Sequence, residues 1–220
     1  MSDNAIYSLY KDAEGGIWIG SYFGGIDYYP TQYATFEKYY PIIGQNSLSG
    51  KVVREFCEDE DGNLWIGTEE GLNRYDGIMI KSYSICPQAA GKYISSLYGT
   101  KKNIWIGTDE GIYIYAYATE TFTYFDLTTP NNVRITSIVN HILQDKDGNL
   151  WFSTNGQGLF RYNLSKNYLE QYEFTSAFGI VASTMADSDN QIWALTNQGE
   201  SGVYKLNKAE NKFEPFGLLY

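Results

Sequence analysis

The sequence predicts an all-β fold, a β-propeller built from five four-stranded antiparallel blades. Three observations carry that prediction. The five tryptophans of the 220-residue chain, Trp18, Trp65, Trp105, Trp151 and Trp193, share one slot of a repeated phrase, clearest in Leu64-Trp65-Ile66-Gly67-Thr68 and Ile104-Trp105-Ile106-Gly107-Thr108. Successive tryptophans lie 47, 40, 46 and 42 residues apart, so five units of about 44 fill the length, a period in the range of propeller blades. Around each tryptophan, short β-favourable runs alternate with Gly, Asp and Asn clusters, which leaves helix almost no room.

The blades divide the chain at approximately 1–42, 43–86, 87–130, 131–174 and 175–220, as one propeller segment. In the first, strands are expected from Ile6 to Asp12, Ile17 to Ser21, Ile26 to Tyr29 and Phe36 to Tyr40. The second is the clearest copy: Val52 to Glu58, a tight turn at Asp59-Glu60-Asp61-Gly62-Asn63, Leu64 to Thr68, a turn at Glu69-Glu70-Gly71, Leu72 to Tyr75, and Ile80 to Tyr83. The third runs through Ile94 to Tyr98, Ile104 to Thr108, Ile112 to Tyr115 and Phe122 to Phe125. The fourth has Ile138 to Asp145, Leu150 to Thr154, Leu159 to Tyr162 and Leu169 to Tyr172. The fifth, the most degenerate, has Ile180 to Asp187, Ile192 to Thr196, Val203 to Leu206 and Phe213 to Phe216. Met1 to Ile6 aligns with Leu48 to Val53, so the chain is expected to begin at a repeat boundary and to hold five complete units, closed on themselves or part of a longer array.

A four-stranded meander cannot bury both apolar faces alone, so copies must stack face to face. The repeated tryptophan is expected to fill the space between blades, with Gly20, Gly67 and Gly107 two positions later allowing close approach. Composition agrees with a folded core: 43% hydrophobic and 17% aromatic residues. A formal charge of -10, from 26 acidic and 16 basic residues, argues against nucleic acid as a partner. No apolar run is long enough to span a bilayer and the start carries no export signal, so the segment is expected to be soluble, without membrane contact of its own. Cys57 falls in an apolar strand pattern as a buried structural thiol, and with Cys86 it makes no metal-binding spacing.

The combined phrase, Leu48-Ser49, Val52-Val53, Asp61-Gly62-Asn63-Leu64-Trp65-Ile66-Gly67-Thr68 and Gly71-Leu72-Asn73-Arg74-Tyr75-Asp76, resembles the two-component regulator propeller repeat. Blade two matches nearly throughout, three and four well, one and five in part. The resemblance implies a non-enzymatic periplasmic sensor segment of a hybrid two-component receptor that binds an oligosaccharide or other small ligand. It implies homodimers of the full protein, signalling domains beyond this segment, and further blades, since members of the family usually form seven-bladed propellers. Streptogramin lyases carry similar phrases, so a propeller enzyme of that kind or a glycan-cleaving one is the alternative, and a protein-interaction scaffold a third.

Asp59 to Asn63 and Asp145 to Asn149 look like the start of a calcium loop, but Thr68 and Thr154 occupy the position of its closing glutamate. The expectation is therefore a capped hairpin turn, with no metal, no cofactor and no catalytic residue assigned. His141, the single histidine, lies in a first strand that would line a central channel. The turns after each tryptophan strand differ most among the five copies, and diverging loops on a repetitive scaffold are where recognition resides. They supply Tyr22, Phe23, Glu69, Asp109, Asn155, Gln157, Asn197 and Gln198 as ligand-binding candidates, joined by His141 and Arg54. Aromatic rings beside amides suit a sugar, and Arg54 and Arg134 suit an anionic one.

Overall fold

The computed structural model describes residues 5–31, 37–85, 93–174, 179–197 and 202–217. Five antiparallel sheets follow one another, each with its four strands in sequential order. The first comprises β1 (Ile6–Lys11), β2 (Ile17–Ser21), β3 (Gly25–Tyr29) and β4 (Glu37–Tyr39). The second comprises β5 (Val53–Glu58), β6 (Leu64–Thr68), β7 (Gly71–Tyr75) and β8 (Ile80–Tyr83). The third has β9 (Ile94–Gly99), β10 (Asn103–Thr108), β11 (Gly111–Ala116) and β12 (Thr121–Tyr124). The fourth has β13 (Val139–Gln144), β14 (Leu150–Thr154), β15 (Leu159–Asn163) and β16 (Tyr168–Tyr172). The fifth has β17 (Val181–Ala186), β18 (Ile192–Thr196), β19 (Val203–Asn207) and β20 (Lys212–Phe216). Among the described residues no helix is long and apolar enough to cross a membrane.

The chain forms two compact units: Met1–Asp109 with Tyr113–Thr123, and Glu110–Ile112 with Tyr124–Tyr220. In the first, one core joins the first two sheets around Trp18, Ile26, Val53, Phe56 and Ile66, and a second core joins the next pair around Trp65, Leu72, Ile94, Leu97 and Tyr115. In the second unit, Trp151, Leu159, Val181, Ile192 and Tyr204 make the equivalent core. Trp18, Trp65 and Trp151 are packing residues of these cores. Trp18 meets Tyr75 at 5.3 Å between ring centroids, Trp65 meets Tyr115 at 5.0 Å, and Trp151 meets Phe213 at 6.1 Å, each reaching the next sheet. The small residue two positions later makes room for that sheet's inner strand. A Cβ on Gly20 would lie 2.9 Å from Val53 Cγ1, and one on Gly67 2.6 Å from Ile94 Cγ2. Ser153 takes the slot in the fourth sheet and shares a 2.6 Å hydrogen bond with Thr184.

The first turn of four of the five repeats is built by an aspartate. Asp59 Oδ1 accepts the Asp61 and Asn63 amides, and its Oδ2 accepts Trp65 Nε1–H at 2.8 Å. Asp12, Asp145 and Asp187 accept from Trp18, Trp151 and Trp193 in the same way, at 2.8, 2.7 and 2.9 Å. Gly62 and Gly148, at φ 78° and 80°, supply the left-handed residue of the hairpin. The calcium-like phrase is thus a turn whose carboxylate is already saturated with donors. Thr68 and Thr154, where a calcium loop would place glutamate, donate instead to the Gly71 and Gly158 carbonyls at 2.9 and 2.6 Å and close the second turn. The third sheet departs from this pattern, with Thr100 in the aspartate slot.

Candidate functional site

One irregularity recurs in all five sheets. The pairing of the inner strand with its neighbour slips by one residue, after Ile6, Val53, Val139 and Val181 and between Ser96 and Ile94. The extra residue of such a bulge has no partner across the ladder and its side chain is re-aimed. In the first two sheets the extra residues are Tyr7 and Arg54, beside the turns that follow the tryptophan strands.

This brings together much of what the sequence nominated in the first unit. The Tyr7 ring stacks on Tyr22 at 5.2 Å, and Tyr22 meets Phe23 edge-on at 4.3 Å. Arg54 Cζ lies 4.3 Å from the centre of the Tyr7 ring and 5.2 Å from that of Tyr93, so the guanidinium sits beside two tyrosines. Arg54 is ion-paired with Glu69. Phe23 is 71% exposed and Tyr7 45%, leaving an open aromatic surface next to the pair. Burial, followed by repulsion from Glu69, Tyr7 and Asp109, raises the Tyr93 phenol above its ordinary range despite the opposing pull of Arg54. Asp109 Oδ1 is buried with no hydrogen-bond partner among the described residues. Phe23, Tyr22, Tyr7, Arg54, Tyr93, Glu69 and Asp109 therefore form a ladder of planar groups edged by carboxylates. Tyr93 was not nominated from the sequence; it precedes the first residue of β9, a flank where only the fold discloses its neighbours.

The nominated residues of the second unit are placed differently. Gln157 has its amide engaged: Oε1 accepts the Thr136 and Ser137 amides at 2.9 and 3.0 Å, and Nε2 donates to the Arg134 carbonyl at 2.9 Å. It anchors the connection into β13. His141 is half-buried, its Nδ1 accepting the Thr184 amide at 3.4 Å, and desolvation keeps the imidazole below its usual pKa. Asn155 and Asn197 are exposed, Asn155 bridging Ile180 through its backbone, and Gln198 lies outside the described residues. Gly156, Gly158, Gln171, Glu173 and Phe174 line a depression of ≈ 440 Å³ in this unit. Arg134 pairs with Asp126 at 2.8 Å, which accounts for its charge.

A further hollow of ≈ 350 Å³ in the first unit is lined by Asp12, Glu14, Trp18, Tyr28, Glu58 and Asp76 among others. Its carboxylates largely serve the turns: Asp12 holds Gly16 and Trp18, and Asp76 holds Ile78 and Met79. Glu58 accepts the Tyr10 hydroxyl. Cys57 is a free thiol, pushed by burial up to about 12, and Cys86 lies outside the described residues.

Residues 1–23, 47–70 and 132–156 match the model of the two component regulator propeller. The chain is 29% identical over 200 residues to histidine kinase P4 of Formosa agariphila, covering 86% of this chain and 14% of that one. The extracellular domain of a hybrid two component system from B. thetaiotaomicron superposes with a TM-score of 0.82 at 21% identity, over 97% of this chain and 30% of that one. A virginiamycin B lyase from Staphylococcus aureus superposes with a TM-score of 0.74 at 16% identity, over 96% of this chain and 69% of that one. At such identities the structural likenesses speak for the β-propeller fold. The chain spans less than a third of the length of the kinase and the extracellular domain.

Proposed function

We infer, from the three stretches that match the two component regulator propeller model and the likeness to a histidine kinase, that the chain is a ligand-binding segment of an extracytoplasmic sensor, acting by binding instead of catalysis. The observation that carries the reading is the bulge-aimed cluster of Phe23, Tyr7, Arg54 and Glu69, an exposed aromatic surface beside an ion pair. Rings next to fixed polar groups suit an oligosaccharide, which offers apolar C–H faces and hydroxyls together. A periplasmic location and attachment to the signalling domains of a dimeric receptor belong to the same reading. Ligand would act by favouring one arrangement of that receptor, to the extent of its differential affinity.

The remaining blades of a longer propeller are the natural occupants of two bare faces. Leu9 on β1 is 67% exposed, whereas its counterpart Phe56 on β5 is 6% exposed beneath the preceding sheet. Leu195 on β18 is 46% exposed in the slot that Gly20 and Gly67 use to receive a neighbour.

A thermal-shift screen of neutral and acidic oligosaccharides, with product analysis in parallel, tests the function. Stabilisation by a subset without turnover is expected, with binding lost in Phe23→Ala and Tyr7→Ala. Product formation would replace the sensor reading with the lyase or glycan-cleaving one; unchanged affinity in both variants would remove the site from this face.

A further inference from the structure

An arginine that receives an anion needs an open edge of its guanidinium, where two parallel N–H groups meet a carboxylate or phosphate. In Arg54 that edge is covered. Tyr7 and Tyr93 lie against the guanidinium, Glu69 takes Nη2, and Nε, which has no hydrogen-bond partner among the described residues, is buried away from solvent. The Arg54 and Glu69 side chains are only 19% and 32% exposed, so water screens the pair less than it would on an open surface. An incoming anion must either displace Glu69, leaving that carboxylate without its partner, or settle beside Glu69 and Asp109. Both routes set like charges together in a partly desolvated place. A hydroxyl meets neither cost, because carboxylate oxygens accept O–H donors and the exposed Phe23 and Tyr7 rings take an apolar C–H face.

We propose that this site selects uncharged polyols over their anionic counterparts, and that Glu69 sets the selectivity by holding Arg54. The proposal rests on the ligand-binding reading above and narrows its substrate class to neutral sugars. Arg54 then serves as an internal cation that orients Tyr7, Tyr93 and Glu69.

The test follows the Arg54 guanidinium of the 220-residue chain by ¹⁵N-edited NMR, assigned with Arg54→Lys, during titration with sodium glucuronate against a sodium chloride control. The wild-type signals are expected to stay at their control positions. In Glu69→Gln, whose altered side chain is a third exposed and leaves the backbone pairing intact, glucuronate is expected to shift them saturably. In a panel of oligosaccharides and their uronate counterparts, uronates are expected to bind the wild type at least about fivefold more weakly, on the scale of one partly exposed charge, and the gap closes in Glu69→Gln. A saturable glucuronate shift in the wild type, or equal binding of matched neutral and uronate members, overturns the proposal. Failure of every oligosaccharide to bind, with Arg54 silent in the wild type and responsive in Glu69→Gln, would refute the ligand-binding reading while upholding the role of Glu69.

Discussion

Replacing Gly67 by alanine tests the packing that lets one sheet nest on the next. The added Cβ would stand 2.6 Å from Ile94 Cγ2, 3.1 Å from Ile94 Cβ and 3.5 Å from Leu97 Cδ1. The first distance is well inside van der Waals contact, and Ile94 is fully buried, so relief requires the sheets to part or Ile94 to leave its rotamer. Overpacking of this kind costs about 1–3 kcal/mol. Ile94→Ala alone removes the opposing methyl and leaves a cavity, at about 2–5 kcal/mol. Together the two changes compensate, since the alanine methyl enters space vacated by Cγ2, so the double variant is expected to be more stable than the sum of the singles by at least about 1 kcal/mol. Urea unfolding followed by tryptophan fluorescence measures all three. Strict additivity, or a Gly67→Ala variant as stable as the wild type, would show that the glycine slot does not receive Ile94.

Two further outcomes follow from part-buried groups. Asp59→Ala removes the acceptor shared by the Asp61 and Asn63 amides and the Trp65 indole; a loss of about 1–3 kcal/mol is expected, against little change for the exposed Asp61→Ala. Equal stability of the two in urea would refute the turn's dependence on Asp59. Burial raises the Glu55 carboxyl from 4.5 to about 7, with the Phe56 amide opposing it. The folded state therefore holds a proton that the unfolded chain releases. The stability it lends is full below about pH 4.5, declines as pH rises toward 7, and is then lost, a change of roughly 3 kcal/mol. Glu55→Gln is expected to flatten the stability profile over that window; an unchanged slope would place Glu55 in contact with water or a cation.

The tryptophan phrase placed all five sheets because each of its residues answers a local demand that a linear pattern records. Asp59 and Gly62 are spaced for a hairpin, Trp65 is bulky and apolar, and Thr68 sits where a hydroxyl closes the second turn. The same locality explains why the candidate site was only half legible. Tyr22, Phe23 and Glu69 were found because turns diverge visibly between copies, but Tyr93 could not be, since its part depends on meeting Arg54 from a different sheet. Gln157 looked like a free amide in a variable turn, yet its side-chain hydrogen bonds run to residues twenty or more positions earlier, beyond the range of any turn rule.

By itself the sequence determined the repeat, the strand order and the turns, since period, β-branching and the Asp and Gly positions act over a few residues. Tertiary structure decided the rest. The bulge aims Tyr7 and Arg54 at the turns, Glu69 claims the cation that the sequence had offered to an anionic sugar, and neighbouring sheets cover Phe56 while leaving Leu9 bare. Burial and charge pairing are properties of what surrounds a side chain, and its surroundings come from residues far away along the chain.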